Sequence, residues 1–553
     1  MRANHLRFLA LGGVGQIGKN MFVLEVADRL LVIDSGLMFP EEEMLGVDLV
    51  IPDLSYLEEN RDRVEGIILT HGHEDHVGAL PYVLPRLAVP VWGTRLTLGL
   101  VREKLEEFHL EEQADLREID PDGEVVLGPF RITFFRVCHS VPDGVGLAIH
   151  TPAGLVIHSS DFKFDPSPID GRLTDFARLA DLGGQGPILL LTDCTNVERP
   201  GYTPSERLVG EKLDELFKTA EQRVIVATFA SNIHRVQQVF DVSRRHGRRV
   251  AIVGRSLEGT SAVASRLGYL KVPDDTWVSP AELEALPRSQ ATVVTTGSQG
   301  EPLSALTRMA MGEHKQVRIE PGDTVVISAR PIPGNEDLVF RVVNHLFRRG
   351  AKVIYEESAG VHVSGHGRQE ELKLLLNLLR PRYVVPVHGE YRHQVRYVEL
   401  AASVGLPPER VFLLDIGEVL EIGPEGAAID GRVNAGSVMI DGLGVGDIGS
   451  VVLRDRKHLA EDGIIIVVLT IDGRQGEILA GPDILTRGFS YGRYSEALIE
   501  EAKQVVRETM QGLDREEATE WTTVKAQVRR ELNQFIYERV RRRPVVLPVV
   551  TVV

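Results

Sequence analysis

The sequence predicts an α/β chain in three parts: a strand-rich unit, a parallel α/β unit inserted into it, and a small closing α/β unit. Three observations carry this. Between Arg7 and Leu191 apolar strands follow one another, and several stop at a single polar side chain. From about Ser205 to Gly350 the apolar runs are short and continuous and alternate with helical stretches, the pattern of a covered parallel sheet. Beyond Ser450 the chain shows one strand, two helices and an apolar tail. With 553 residues, 43% of them apolar, there is material for about three or four ordinary domains.

In the first part, alternating or β-branched runs predict strands at Arg7–Ala10, Met21–Val26, Leu30–Asp34, Gly66–Thr70, Val89–Trp92, Arg131–Val137, Gly146–His150, Gly154–His158 and Ile188–Leu191. Helical spacing appears at Gly78–Leu87, Arg95–Phe108 and Ser205–Thr219. The inserted part is expected to have strands at Val224–Ala227, Val250–Val253, Ala291–Val294 and Thr324–Ile327, with helices at Ile233–His246 and Thr260–Leu267. Ala351–Ile354 and Tyr383–Val387 then read as strands returning to the first part. The closing unit is expected to hold a strand at Gly463–Leu469, helices at Ser495–Gln511 and Thr523–Arg539, and a strand-like tail, Pro544–Val553. Such a tail invites aggregation unless it is paired.

Gly13-Val14-Gly15-Gln16-Ile17-Gly18 matches a dinucleotide fingerprint, and Lys19-Asn20 nearly completes a phosphate loop. Both motifs need a helix next, whose N-terminus holds the phosphate. A strand follows instead, and Asn20 stands where magnesium binding wants Ser or Thr. The segment is therefore a glycine-rich turn between strands.

The polar strand ends are more informative. Thr70-His71-Gly72-His73-Glu74-Asp75-His76 places four metal-ligand side chains within six residues behind the strand Gly66–Leu69. Imidazoles suit zinc and other first-row metals, and a carboxylate among them suits a bridging or harder position. His-x-His alone occurs by chance in solvated turns; the full string at a strand end points to metal. Asp34, His139, Asp161 and Asp193 also terminate apolar strands, which suggests a convergent centre.

These residues resemble the metallo-β-lactamase superfamily, an αββα sandwich with a two-metal site at one edge. Asp193, His362-Val363-Ser364-Gly365-His366 and Pro386-Val387-His388-Gly389-Glu390 resemble the further motifs of its β-CASP branch, which cuts nucleic acids. The likeness is strongest to the ribonuclease J family. It runs through Ala227–Arg235, Thr296–Pro302 and Asp441–Asp447 and covers essentially the whole chain. It implies a metallo-β-lactamase domain over 1–204 and 351–415, a β-CASP domain over 205–350, a linker over 416–449 and a C-terminal domain over 450–553.

The resemblance also implies the ligands. One ion would be held by His71, His73, His139 and Asp161, the other by Asp75, His76, Asp161 and His388, with Asp161 bridging and zinc or manganese as the metal. Asp34 would orient a ligand histidine, or would be a solvated turn residue before Ser35-Gly36. His388 favours RNA over DNA. Two ions about 3.5–4 Å apart would activate a bridging water beside Asp75 and clamp a phosphodiester. His366 would contact the scissile phosphate or protonate the departing oxygen, with Asp193 fixing its orientation. Ser231, Asn232, Ile233, His234, Arg255, Ser256, Gly297, Ser298 and Gln299, with His362–His366, would face the cleft and hold RNA and its 5′-phosphate. Read alone, such strings are helix caps or turns.

Asp48 and Asp441 are oxygen donors suited to an accessory calcium or magnesium, or are solvated turn carboxylates. A net charge of -17 argues against coating nucleic acid through a broad basic face, though not against a narrow cationic channel. Cys138 and Cys194 are too few for a disulfide framework. No apolar run is long enough for a membrane span, no secretory signal opens the sequence, and the chain reads as cytoplasmic.

The expected function is thus a two-metal ribonuclease with 5′-to-3′ exonuclease and endonuclease activity in RNA maturation, including that of rRNA, and in mRNA decay. A homodimer or homotetramer is expected, with RNA-degradation machinery as partner. The alternative is a small-molecule hydrolase acting on a thioester or lactam, which would need only the first unit.

Overall fold

A computed structural model describes residues 4–41, 43–273, 275–301, 303–331, 335–442, 444–489 and 495–553. Pro302 and Leu443, which fall within two of the strings quoted above, lie outside the described residues. By contacts the chain forms two units, Met1–Phe39 with Leu49–Val438, and Pro40–Asp48 with Met439–Val553.

The first unit is built on two facing sheets. One has eight strands: Gly426–Arg432, Glu418–Gly423, Leu6–Gly12, Met21–Val26, Arg29–Ile33, Val64–Ile68, Val91–Gly93 and Leu116–Glu118, in spatial order. The other has six, running Tyr383–Val387, Leu189–Asp193, Gly154–His158, Val145–Thr151, Phe130–Arg136 and Glu124–Leu127. Their inner faces interlock: Phe8, Phe22, Leu24 and Ile33 share one core with Phe130, Leu147, Val156 and Val385. Helices cover the outside of the second sheet, where Leu179, Leu372, Leu376 and Tyr397 pack on Ile157 and Leu190. This is the two-sheet sandwich that the resemblance implies.

The inserted sheet is wholly parallel, with strands Arg249–Val253, Ala291–Thr295, Val224–Ala227, Thr324–Ile327 and Lys352–Ile354 in spatial order. Its apolar runs are buried on both faces, against Val239 and Phe240 on one side and Leu306 and Val343 on the other. Here the expectation for Ala351–Ile354 fails. The run pairs with Thr324–Val326 as the last strand of the inserted sheet, because helix Glu336–Arg348 completes one more parallel crossover. The stretch 416–449, expected as a linker, likewise supplies two strands, Glu418–Gly423 and Gly426–Arg432, to the first sheet.

In the second unit a three-stranded sheet of Ile478–Arg487, Ile464–Ile471 and Val545–Val552 carries helices Ser495–Gln511 and Trp521–Val540. Val467, Val506, Val528 and Leu532 are fully buried between them. The apolar tail is paired along one edge, parallel to Ile464–Ile471, and forms an outer strand of the sheet. Strand Ile478–Arg487 carries no clean sequence signal, since Gly481-Pro482 interrupts it. No helix among the described residues is long and apolar enough to cross a membrane.

Candidate metal centre

Strand ends from both sheets meet at one edge of the sandwich. Arg29–Ile33 and Val64–Ile68 run parallel and deliver Asp34 and Thr70-His71. His73 caps the short helical turn Glu74–Val77 in an extended conformation, and that turn carries Asp75 and His76. In the second sheet Gly154–His158, Leu189–Asp193 and Tyr383–Val387 are parallel neighbours whose ends bring Asp161, Asp193 and His388 together. Asp34, Ser160 and His388 hold left-handed backbone, with φ of 61°, 59° and 52°.

The donor atoms form two four-residue groups, beside a third of three residues, Asp193, His366 and His388. His71, His73, His139 and Asp161 make one, Asp75, His76, Asp161 and His388 the other, each spanning at most 4.8 Å. In the first, His73 Nδ1 lies 3.1 Å from both His71 Nε2 and His139 Nε2. In the second, His388 Nε2 is 2.9 Å from Asp75 Oδ2. One atom belongs to both: Asp161 Oδ2 is 3.7 and 3.8 Å from His71 and His139 Nε2, and 3.3 and 3.6 Å from His76 and His388 Nε2.

Each imidazole turns one nitrogen to the centre and gives the other an outer partner. His76 Nδ1–H donates to Asp34 Oδ2 at 2.8 Å, and Asp34 is itself fixed by the Thr70 N–H and hydroxyl. His139 Nδ1–H donates to the Gly365 carbonyl at 2.9 Å. Only glycine permits that approach, since a Cβ at 365 would meet the His139 ring at 2.5 Å. The remaining outer nitrogens face hydroxyls: His71 Nδ1 faces Thr70, His73 Nε2 faces Ser140, and His388 Nδ1 faces Thr195. Fixing one nitrogen leaves the lone pair of the other aimed inward, the arrangement metal-ligating histidines require.

Electrostatics divide the two groups. Burial pushes His71 and His139 well below the usual imidazole range and His73 down to about 4, so these rings are neutral donors. Burial works the same way on His388 and His76, but Asp161 and Asp75 outweigh it, raising His388 to about 9 and His76 well above the ordinary value. The carboxyls of Asp75 and Asp161 are held low in return, since His76 and His388 overcome the effect of burial. A buried carboxylate, Asp161, and a half-buried one, Asp75, beside imidazoles demand positive charge, and a divalent cation supplies it in place of protons. The nitrogen-rich, carboxylate-bridged donor set therefore fits first-row divalent ions.

Next to this centre, His366 Nδ1–H donates to Asp193 Oδ2 at 2.8 Å, and its ring stacks on His388 at 5.2 Å. Burial lowers the affinity of His366 for a proton, but Asp193 more than compensates. Asp193 Oδ1 also accepts the Thr195 hydroxyl at 2.7 Å, and the Thr195 oxygen faces His388 Nδ1 at 2.8 Å. Thr195 thus links Asp193 to a metal-facing ring, yet one threonine after a strand has no distinguishing sequence signal. The same holds for Asn196, whose Nδ2 donates to Ser364 Oγ and the His366 carbonyl.

The expected RNA-binding residues of the inserted domain sit at the C-terminal ends of its parallel strands. Asn232 Oδ1 caps helix Ile233–Arg245 by accepting the Arg235 N–H, and Ile233 lies in the core, so Ser231 and His234 are the half-buried groups of that loop. Arg255 and Ser256 are exposed at the start of helix Arg255–Arg266. Ser298 and Gln299 are buried, and Gln299 Nε2 donates to the Arg330 carbonyl at 2.7 Å. His362 is pushed down to about 3 by burial and the nearby Arg235 and Arg330.

In the second unit, Asp48 Oδ2 accepts the Gly442 N–H at 2.7 Å, while Asp441 pairs with Arg456 at 2.5 Å. That guanidinium already supplies positive charge to Asp441, and neither aspartate belongs to a group of metal-type donors among the described residues. Asp441→Ala should lower the unfolding free energy by no more than an exposed ion pair contributes, about 0–1 kcal/mol, as measured by urea denaturation with and without calcium. A calcium-dependent stabilisation lost in the variant would support the accessory-cation reading.

Comparison with known proteins accounts for nearly the whole chain. Residues 14–214 match the metallo-beta-lactamase superfamily, 221–346 the beta-CASP domain of ribonuclease J, 355–413 the RNA specificity domain of Zn-dependent metallo-hydrolases, and 451–553 the ribonuclease J C-terminal domain. Ribonuclease J2 of Bacillus subtilis is 46% identical over 99% of this chain and 98% of its own. Ribonuclease J 1 of Streptococcus pyogenes is 42% identical over 100% and 98%. A crystal structure of a protein of unknown function from Enterococcus faecalis V583 aligns with a TM-score of 0.54 at 14% identity, over 75% of this chain and 99% of that one, a likeness of fold alone.

Proposed function

This chain belongs to the ribonuclease J family and is a metal-dependent ribonuclease; on that premise we propose that it uses two divalent ions, zinc or manganese, to degrade RNA from a 5′-monophosphorylated end and to cut it internally. One observation carries the two-ion reading: a single carboxylate oxygen, Asp161 Oδ2, is common to two complete donor groups. When bound, such a pair supplies Lewis acidity and an activated water for in-line attack.

The chain's own residues do the rest. His71, His73 and His139 would hold one ion, Asp75, His76 and His388 the other, and Asp161 would lie between them. Asp34 and Thr195 fix the tautomers of His76 and His388. With Nδ1–H engaged by Asp193, His366 offers Nε2 to a phosphate oxygen and is suited to deliver a proton to the departing one. A small-molecule hydrolase would have no use for the inserted domain or the RNA specificity region. The expected setting is cytoplasmic RNA maturation, including that of rRNA, and mRNA decay, with the chain as a homodimer or homotetramer working beside other RNA-degrading proteins.

The test is end-labelled RNA carrying a 5′-monophosphate, triphosphate or hydroxyl, incubated with zinc, manganese or magnesium. Mononucleotides released from the monophosphate form support the reading; intact RNA under all conditions would overturn it. A finer prediction concerns Ser298, in a buried loop at a strand end of the inserted sheet. If that loop holds the terminal phosphate, Ser298→Ala removes one charge-assisted hydrogen bond, about 1.5–3 kcal/mol, or roughly ten- to a hundredfold. The loss should fall on monophosphorylated RNA and spare a circular substrate. Equal loss on both would assign the loop to general RNA binding or folding.

A further inference from the structure

The glycine-rich turn through Gly13 and Asn20 has no role once nucleotide binding is set aside, yet it lies against one half of the metal centre. The Gly13 carbonyl accepts the His388 N–H at 2.6 Å, and Val14-Gly15 pairs in parallel with Gly389-Glu390. Asn20 is fully buried. Its N–H and its Nδ2 both donate to the Asp75 carbonyl at 3.0 Å, and the same Nδ2 lies 3.5 Å from Asp75 Oδ2 and 3.1 Å from His76 Nε2.

We infer that Asn20 is a positioning residue for the ion held by Asp75, His76 and His388, and that this turn tunes that half of the centre alone. The inference rests on the two-ion reading above. The orientation of the amide is fixed. Turned over, Asn20 would set its oxygen against the Asp75 carbonyl, so the NH2 group must face the ligands. Its Oδ1 lies instead against Gly13, where a Cβ would come within 2.3 Å of it and where φ is +78°. That explains the glycine. When His76 Nε2 gives its lone pair to an ion, the amide still holds the Asp75 backbone and carboxylate, so Asp75 enters the site preoriented. His71, His73 and His139 take their outer partners from Thr70, Ser140, Ser160 and Gly365, and among the described residues none of these hydrogen bonds involves the turn.

Manganese affinity in chelator-stripped protein tests this. Wild type should bind two ions, and Asn20→Ala should keep one at wild-type affinity while the other weakens about 10- to 100-fold. Two backgrounds identify which. In His73→Ala, where the second group is the intact one, adding Asn20→Ala should weaken the remaining ion by the same factor; in His388→Ala it should change nothing. Metal-free melting curves of wild type and Asn20→Ala should coincide, and Asn20→Ser, whose hydroxyl is too short to reach the ligands, takes its place if the alanine variant does not fold. Equal weakening in both backgrounds, or none in either, would overturn the inference. A single ion in wild type would overturn the two-ion reading and the inference with it.

Discussion

His76→Ala should reduce RNA cleavage to background, a loss of about a thousandfold or more, because the side chains of such a centre act as a unit. His76 is buried, with Nε2 3.3 Å from the shared Asp161 oxygen and Nδ1 on Asp34. Its removal takes one ligand from the second ion and leaves Asp34 accepting only from Thr70. The fold should persist, since the cores of both sheets lie elsewhere. Cleavage of labelled RNA, paired with a melting curve of the metal-free protein, checks both halves of the expectation. An unchanged rate in added manganese would sink the two-ion assignment.

Arg235→Ala should destabilise the first unit by about 3–5 kcal/mol, the cost of leaving a buried charge without its partner. The Arg235 guanidinium is fully buried: Nε and Nη2 donate to Glu206 Oε1 at 2.9 and 2.5 Å, and Nη1 donates to the Ser328 and Val361 carbonyls at 3.2 and 3.0 Å. Without it, Glu206 keeps only a loose approach from Lys163 Nζ at 3.8 Å. Arg235→Lys should rescue little, because an ammonium cannot reproduce the planar fork. Val361 precedes His362–His366, so RNA cleavage should fall as well. Urea unfolding of the metal-free protein measures the stability loss, and a value below about 1 kcal/mol would contradict the role given to this ion pair.

The sandwich and the inserted sheet were largely legible because their strands are apolar runs of β-branched residues ended by one polar group. Met21–Val26, Gly154–His158, Val224–Ala227 and Thr324–Ile327 coincide with the expected limits. Edges were harder to place. Lys352–Ile354 was misassigned because an apolar triplet does not say which sheet it joins, and Glu418–Gly423 was hidden by the glycines around it. Of the centre, the short-range string from His71 to His76 is visible to the eye. His139 and Asp161 stand out as single polar residues ending apolar strands, whereas His388 stands out only through family likeness, since long-range convergence leaves no local trace. Thr195 and Asn20 left none: a hydroxyl or amide that orients another side chain looks like any turn residue until its neighbours are known.

The left-handed backbone at Asp34, Ser160 and His388 sets backbone strain against side-chain hydrogen bonding. A non-glycine residue in that region costs of order 1 kcal/mol, which glycine would recover. Glycine at Asp34 or His388 would relieve the backbone but take a buried partner from Thr70, His76, Thr195 or Asp75, so the side chain's hydrogen bonds are what hold the strained conformation in place. Strain and hydrogen bonding are thus built into the same three residues, so the centre's geometry is held in the backbone as well as in the side chains.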